Sequence, residues 1–100
     1  MKRRLEITPR ARRDLAAILS WYRENLGARA ALKVAKNIDG KLRSIGAGRI
    51  RGAAIGQSAY LRVLARKHAL VIRESADATF VVRIVHGAQD LEAIAAELDG

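Results

Sequence analysis

Apolar residues along this chain change their spacing more than once, and each change marks a different element. The opening KRRLEI alternates, with Arg3, Leu5 and Ile7 on one side and Lys2, Arg4 and Glu6 on the other, which predicts a short half-buried strand. Thr8 and Pro9 end it. Thr8 can cap the free amides of a helix, and Pro9 suits the first helical position because its missing donor would be unpaired there anyway. Leu15, Ile18, Leu19, Tyr22 and Leu26 then recur at helical spacing, and Gly27 stands where a left-handed terminating residue is expected. A second helical stripe of Ala31, Val34, Ala35, Ile38, Leu42 and Ile45 starts at once and closes near Gly46, so the two helices form an antiparallel hairpin. Arg29, Lys33, Lys36, Lys41 and Arg43 fall mostly off the stripe and read as a solvated face.

Gly46, Gly48, Gly52 and Gly56 mark a loop. They neither follow a strand nor introduce a helix with the spacing of a phosphate-binding fingerprint. After the loop the period becomes two. Tyr60 to Ala65, His68 to Glu74 and Thr79 to His86 are strand-length runs joined by turns at Arg66-Lys67 and Ser75 to Ala78, which predicts an antiparallel meander. Strict alternation in the last run puts Phe80, Val82, Ile84 and His86 on one face and Val81, Arg83 and Val85 on the other. Both faces are largely apolar, so this strand is expected at the centre of the sheet. Asp90 can cap a final short helix with Leu91, Ile94, Ala95 and Leu98 on one stripe, and Gly100 ends the chain within three turns.

The expected fold is a single α+β domain over residues 1–100: an N-terminal strand, an antiparallel helical hairpin packed on an antiparallel sheet, a three-strand meander and a short C-terminal helix. One sheet face is covered by helices. The other is expected to be exposed or covered by a companion, since large open apolar patches usually mark interaction sites.

Composition narrows the chemistry. One hundred residues suffice for one core, and no apolar run approaches the roughly 18 residues that span a bilayer, so a soluble protein without a membrane partner is expected. The start MKRRLEITPR lacks the apolar stretch of a signal peptide, and the absence of Cys fits a reducing cytoplasm. Without Cys, and with His68 and His86 not in an HxxxH or HxH pattern, no metal site or cofactor is expected. Nineteen Lys and Arg against ten Asp and Glu give a formal charge of +9, which favours an anionic partner. Residues 47–73 hold Arg49, Arg51, Arg62, Arg66, Lys67 and Arg73 without an acid, whereas residues 74–100 hold six acids and only Arg83. Arg62, Arg66, Lys67, Arg73 and Arg83 lie on or between the meander strands and are candidates for one basic area. Charges within Val- and Leu-rich strands are costly unless exposed or paired. His86, at a strand end before Gly87, reads as a residue holding the turn rather than as an acid-base catalyst, and the same logic covers His68. Trp21 and Tyr22 read as packing residues.

Three segments carry a resemblance: ILSWYREN late in the first helix, the strand HALVIRE and the ending VVRIVHGAQDLEAI. With the element order they resemble the ParE/RelE toxin superfamily of type II toxin-antitoxin systems across nearly the whole chain. The specific part is Ile84, Val85, His86, Gly87, Ala88, Gln89, Asp90 and Leu91. RelE-like members cut messenger RNA on the ribosome, whereas ParE-like members inhibit DNA gyrase by binding it and block replication. On the RelE pattern the basic catalytic positions fall near Leu61, Val63 and Leu70, the catalytic Arg falls near Gln89, and no Tyr follows Tyr60. The resemblance therefore implies a non-enzymatic ParE-like toxin with no catalytic residue.

It also implies a ParD-like antitoxin with a ribbon-helix-helix DNA-binding part and an acidic tail, the toxin being masked in a hetero-oligomer. Target or antitoxin contacts are expected at Arg62, Arg66, Lys67, Arg73, Arg83, His86, Gln89 and Asp90, and an antitoxin groove at Leu15, Leu19, Trp21, Tyr22, Ile38 and Leu42. Direct nucleic-acid binding is not expected, because the aromatic platform that single strands need is missing. The rival expectation is a ribosome-dependent messenger RNA endoribonuclease using Arg62, Arg73, Arg83 and His86.

Overall fold

A computed structural model describes residues 4–99, so Lys2, Arg3 and Gly100, expected in the first strand and at the chain end, lie outside the described residues. The elements run β1 Arg4–Ile7, α1 Pro9–Leu26, α2 Ala28–Gly46, β2 Ala53–Ala54, β3 Leu61–Ala65, β4 His68–Glu74, β5 Ala78–His86 and α3 Leu91–Asp99. The hairpin forms as its caps predict. The Thr8 hydroxyl accepts the Ala11 N–H at 3.2 Å and Pro9 opens α1. Gly27 alone joins the helices: its N–H donates to the Arg23 carbonyl, its carbonyl accepts from Ala31, and its φ of +95° lies where a side chain would be strained.

The strands form one sheet in the order β1-β5-β4-β3-β2. It is mixed rather than wholly antiparallel, because β1 pairs parallel with β5 through Leu5↔Thr79 and Ile7↔Val81. β5 is interior, and the middle strand is β4, whose Ala69 to Ile72 are at most 1% exposed. The glycine loop also contributes the two-residue β2, paired to β3 by Ala53↔Arg62.

The expected facing of β5 is corrected by a bulge. Ile72 pairs with Val81 but Val71 pairs with Arg83, which leaves Val82 as the extra residue. Val81 and Ile84 therefore share the helix-side core with Ile38, Leu42, Val63 and Leu70, while Val82 and Val85 face the opposite cluster. The first turns of α1 satisfy the disturbed backbone. The Thr8 hydroxyl donates to the Val82 carbonyl at 3.4 Å, and the Asp14 carboxylate accepts the Ile84 N–H at 3.0 Å.

The second sheet face is not left open for a companion as a whole. Ile94 and Ala95 of α3, with Ile55 from the loop, bury Tyr60, Ala69, Val71 and Val85. Residues 9–46 carry nine cations and three acids, and residues 87–99 carry four acids and no cation. The helical layer is thus strongly basic and α3, packed under the opposite sheet face, is acidic. Among the described residues no helix is long and apolar enough to cross a membrane.

Candidate functional site

Arg83 is paired rather than exposed. Its Nε donates to Asp14 Oδ2 at 2.7 Å, with side chains 15% and 12% exposed. That pairing removes it from the basic area expected on the meander. Arg62 and Arg73 stay exposed on β3 and β4, with the Arg73 guanidinium 5.8 Å from the centre of the Tyr60 ring. Arg66 and Lys67 occupy the β3-β4 turn at one end of the sheet.

His68 and His86 are cross-strand partners with ring centres 5.9 Å apart. Tyr22 meets His68 edge-on at 5.8 Å, and Trp21 meets Tyr22 at 5.2 Å, so a ladder of four rings ties the end of α1 to the end of the sheet. Burial holds the His68 pKa below its ordinary 6.5, and the neighbouring His86 and Lys67 push it the same way. His68 is therefore neutral at neutral pH.

The turn after β5 is held by its own side chains. His86 Nδ1 accepts the Ala88 N–H at 3.1 Å, and Gln89 Oε1 accepts the His86 N–H at 3.2 Å. The Gly87 N–H donates to the Lys67 carbonyl at 2.7 Å, and Asp90 caps α3 by accepting the Ala93 N–H. His86, Gln89 and Asp90 nonetheless remain exposed. Arg62, Gln89 and Asp90 come together around an open depression of about 660 Å³ that also borders Leu64 and Glu92.

On the hairpin the six expected groove residues part company. Ile38 and Leu42 are buried in the core, 1% and 7% exposed, and cannot line an external groove. Leu15, Leu19 and Tyr22 are half-buried, and Trp21 is open at 54%. Leu26 at 60% and Leu32 at 54% join Trp21 as large exposed apolar residues near the hairpin tip, and both were absent from the expected set. Leu26 lies on the periodic stripe but in the last turn of α1, beyond the reach of the sheet, and periodicity carries no signal of that.

A cleft of about 820 Å³ opens between α2 and the β3-β4 turn, lined by Tyr22, Lys33, Lys36, Arg66, Lys67 and His68 among others. Lys33 and Lys36 count as plain solvated charge in the sequence, and only the fold brings them opposite the turn. Among the described residues no group of three or more His, Cys, Asp or Glu could hold a metal ion.

A family model described as the ParE toxin of the type II toxin-antitoxin system parDE matches residues 5–91. Among solved structures, a chain of the chromosomal ParDE toxin-antitoxin system from P. aeruginosa is similar at a TM-score of 0.75 and 20% identity, covering 85% of this chain and 96% of that one. The toxin-antitoxin complex RelBE2 from Mycobacterium tuberculosis is similar at a TM-score of 0.54 and 19% identity, over 86% of this chain and 99% of that one. No curated protein matches significantly in sequence.

Proposed function

Since this chain belongs to the ParE toxin family of type II toxin-antitoxin systems, we propose that it acts in the cytoplasm without catalysis, binding DNA gyrase and stalling replication until a ParD-like antitoxin masks it. The observation that carries this reading is the occupation of the sheet positions where a ribonuclease of this superfamily would place its cations. Val63 and Leu70 are buried core residues, 5% and 0% exposed, and Leu61 is half-buried. Gln89 holds the turn where an Arg would be wanted.

The rival nuclease set fares worse in the fold. Arg83 is committed to Asp14, so the set of Arg62, Arg73, Arg83 and His86 lacks one of its three cations.

An acidic antitoxin tail suits the hairpin, where Trp21, Leu26 and Leu32 offer apolar anchors among basic side chains. Affinity resting on such anchors falls only partly with salt. The depression around Arg62, Gln89 and Asp90 is the candidate contact for gyrase. Purified toxin is expected to block supercoiling of relaxed plasmid by gyrase and to accumulate cleaved DNA, and to leave translated messenger RNA intact. Unchanged supercoiling at excess toxin, or position-specific cleavage of the message, refutes the reading.

A further inference from the structure

The cleft between α2 and the β3-β4 turn is not used by the reading above. Its rim carries Lys33 and Lys36 from one side and Arg66 and Lys67 from the other, all four exposed and none in a salt bridge among the described residues. Arg29 precedes Lys33 by one turn of α2, so Arg29, Lys33 and Lys36 make a rail about 10 Å long at 1.5 Å per residue. A rail of that length can meet neighbouring phosphates of one DNA strand.

The turn itself favours charge over ease. Arg66 has φ +54°, the only positive φ at a non-glycine position among the described residues, in a conformation that Gly or Asn adopts with less strain. The floor adds no charge and only one half-buried aromatic ring. His68 is 6% exposed and neutral, and Tyr22 is held edge-on against it. A neutral floor under a cationic rim suits a phosphodiester backbone rather than unstacked bases. The missing aromatic platform therefore argues against single strands but not against a duplex.

We propose that this cleft seats the sugar-phosphate backbone of duplex DNA. The choice of DNA over other polyanions rests on the gyrase reading, in which the toxin works beside the duplex that gyrase holds.

The test uses the full chain without gyrase: fluorescence anisotropy of a labelled 20-base-pair duplex at salt between 50 and 200 mM. About four phosphate contacts give a log-log salt slope near −3.6, so affinity falls about 150-fold across that range. The variant Lys33→Gln/Lys36→Gln/Arg66→Gln/Lys67→Gln is expected to bind at least tenfold more weakly at 50 mM with a flattened slope. Arg62→Gln/Arg73→Gln, outside the cleft, keeps both. Circular dichroism checks that each variant stays folded. Undetectable binding at 50 mM salt, equal loss in the two variants, or an unchanged slope in the fourfold variant overturns the proposal. So does a poly-glutamate peptide of equal charge that binds the cleft more tightly than the duplex, which would make the cleft a protein-binding site. Toxin that binds DNA through the cleft but leaves supercoiling unchanged upholds this proposal and refutes the gyrase reading.

Discussion

Replacing Asp14 by Ala tests whether the bulged strand depends on α1. Asp14 is 12% exposed and accepts from three groups, Arg83 at 2.7 Å, the Ile84 N–H at 3.0 Å and the outer Arg10 at 3.4 Å. β1 ends at Ile7, opposite Val81, so no strand beyond it offers Ile84 an acceptor on that side. An orphaned buried amide costs about 1–3 kcal/mol. Stranding one member of a fully buried ion pair costs about 3–5 kcal/mol. Both side chains here keep some solvent access, and Arg83 can turn outward, so about 1–2 kcal/mol is the fitting share. The sum is about 2–5 kcal/mol, a large part of the roughly 5–15 kcal/mol that holds a domain of this size. It lowers Tm by about 4–8 °C per kcal/mol. Asp14→Asn keeps an oxygen for Ile84 and should lose about half as much. Urea unfolding followed by far-ultraviolet circular dichroism gives the numbers, and a cycle with Arg83→Met should show about 1–2 kcal/mol of coupling. An Asp14→Ala protein within about 0.5 kcal/mol of wild type, or a cycle without coupling, refutes the latch.

The lowered pKa of His68 makes stability depend on pH in one direction. The unfolded chain binds the proton first, so the contribution is whole above pH 6.5 and is lost as pH falls through the lower folded value. Urea midpoints between pH 8 and 5 should decline below 6.5, and His68→Phe should flatten that decline; a midpoint that rises on acidification contradicts the sign. Two glycines should answer oppositely to Ala. At Gly52 a Cβ would lie 2.7 Å from Leu61 Cβ and 3.1 Å from the Arg62 carbonyl, for a loss of about 1–3 kcal/mol. At Gly40, inside α2 with nothing within 4 Å, Ala should gain about 0.5–1 kcal/mol. Thermal melts of the pair separate crowding from helix propensity. On the hairpin, Leu26→Ser/Leu32→Ser should weaken antitoxin binding in calorimetry at least tenfold while leaving Tm nearly unchanged, because both side chains are more than half exposed.

Local signals carried the elements well. Thr8, Pro9 and Gly27 set the bounds of α1 by their own backbone and capping chemistry, and the meander strands follow period-two runs bounded by short turns. What failed was non-local. The parallel pairing of β1 with β5 joins residues more than seventy apart, and nothing near Leu5 announces it. The bulge at Val82 is silent because FVVRIV is apolar on both faces, so a shifted phase reads the same as a regular one. Arg83 consequently counted as a surface cation, although Asp14 holds it. The ending from His86 to Asp90 was legible as a turn that holds itself together. The basic cleft was not, because Lys33 and Lys36 look like any solvated helix face until a turn thirty residues later arrives opposite them.

The position of β5 between β1 and β4 has a consequence for synthesis. The helical hairpin can collapse as soon as residue 46 emerges, but β1 has no neighbour until residues 78–81 are made. At about 5–20 residues per second that wait lasts roughly 4–15 s, long beside the microseconds in which a helix forms. Until then the apolar stripe of the hairpin has no sheet to cover it. A message cut short before His86 yields a chain that cannot complete its core. A fold ordered this way closes only with its last quarter, so a chain lacking β5 cannot join β1 to the rest of the sheet.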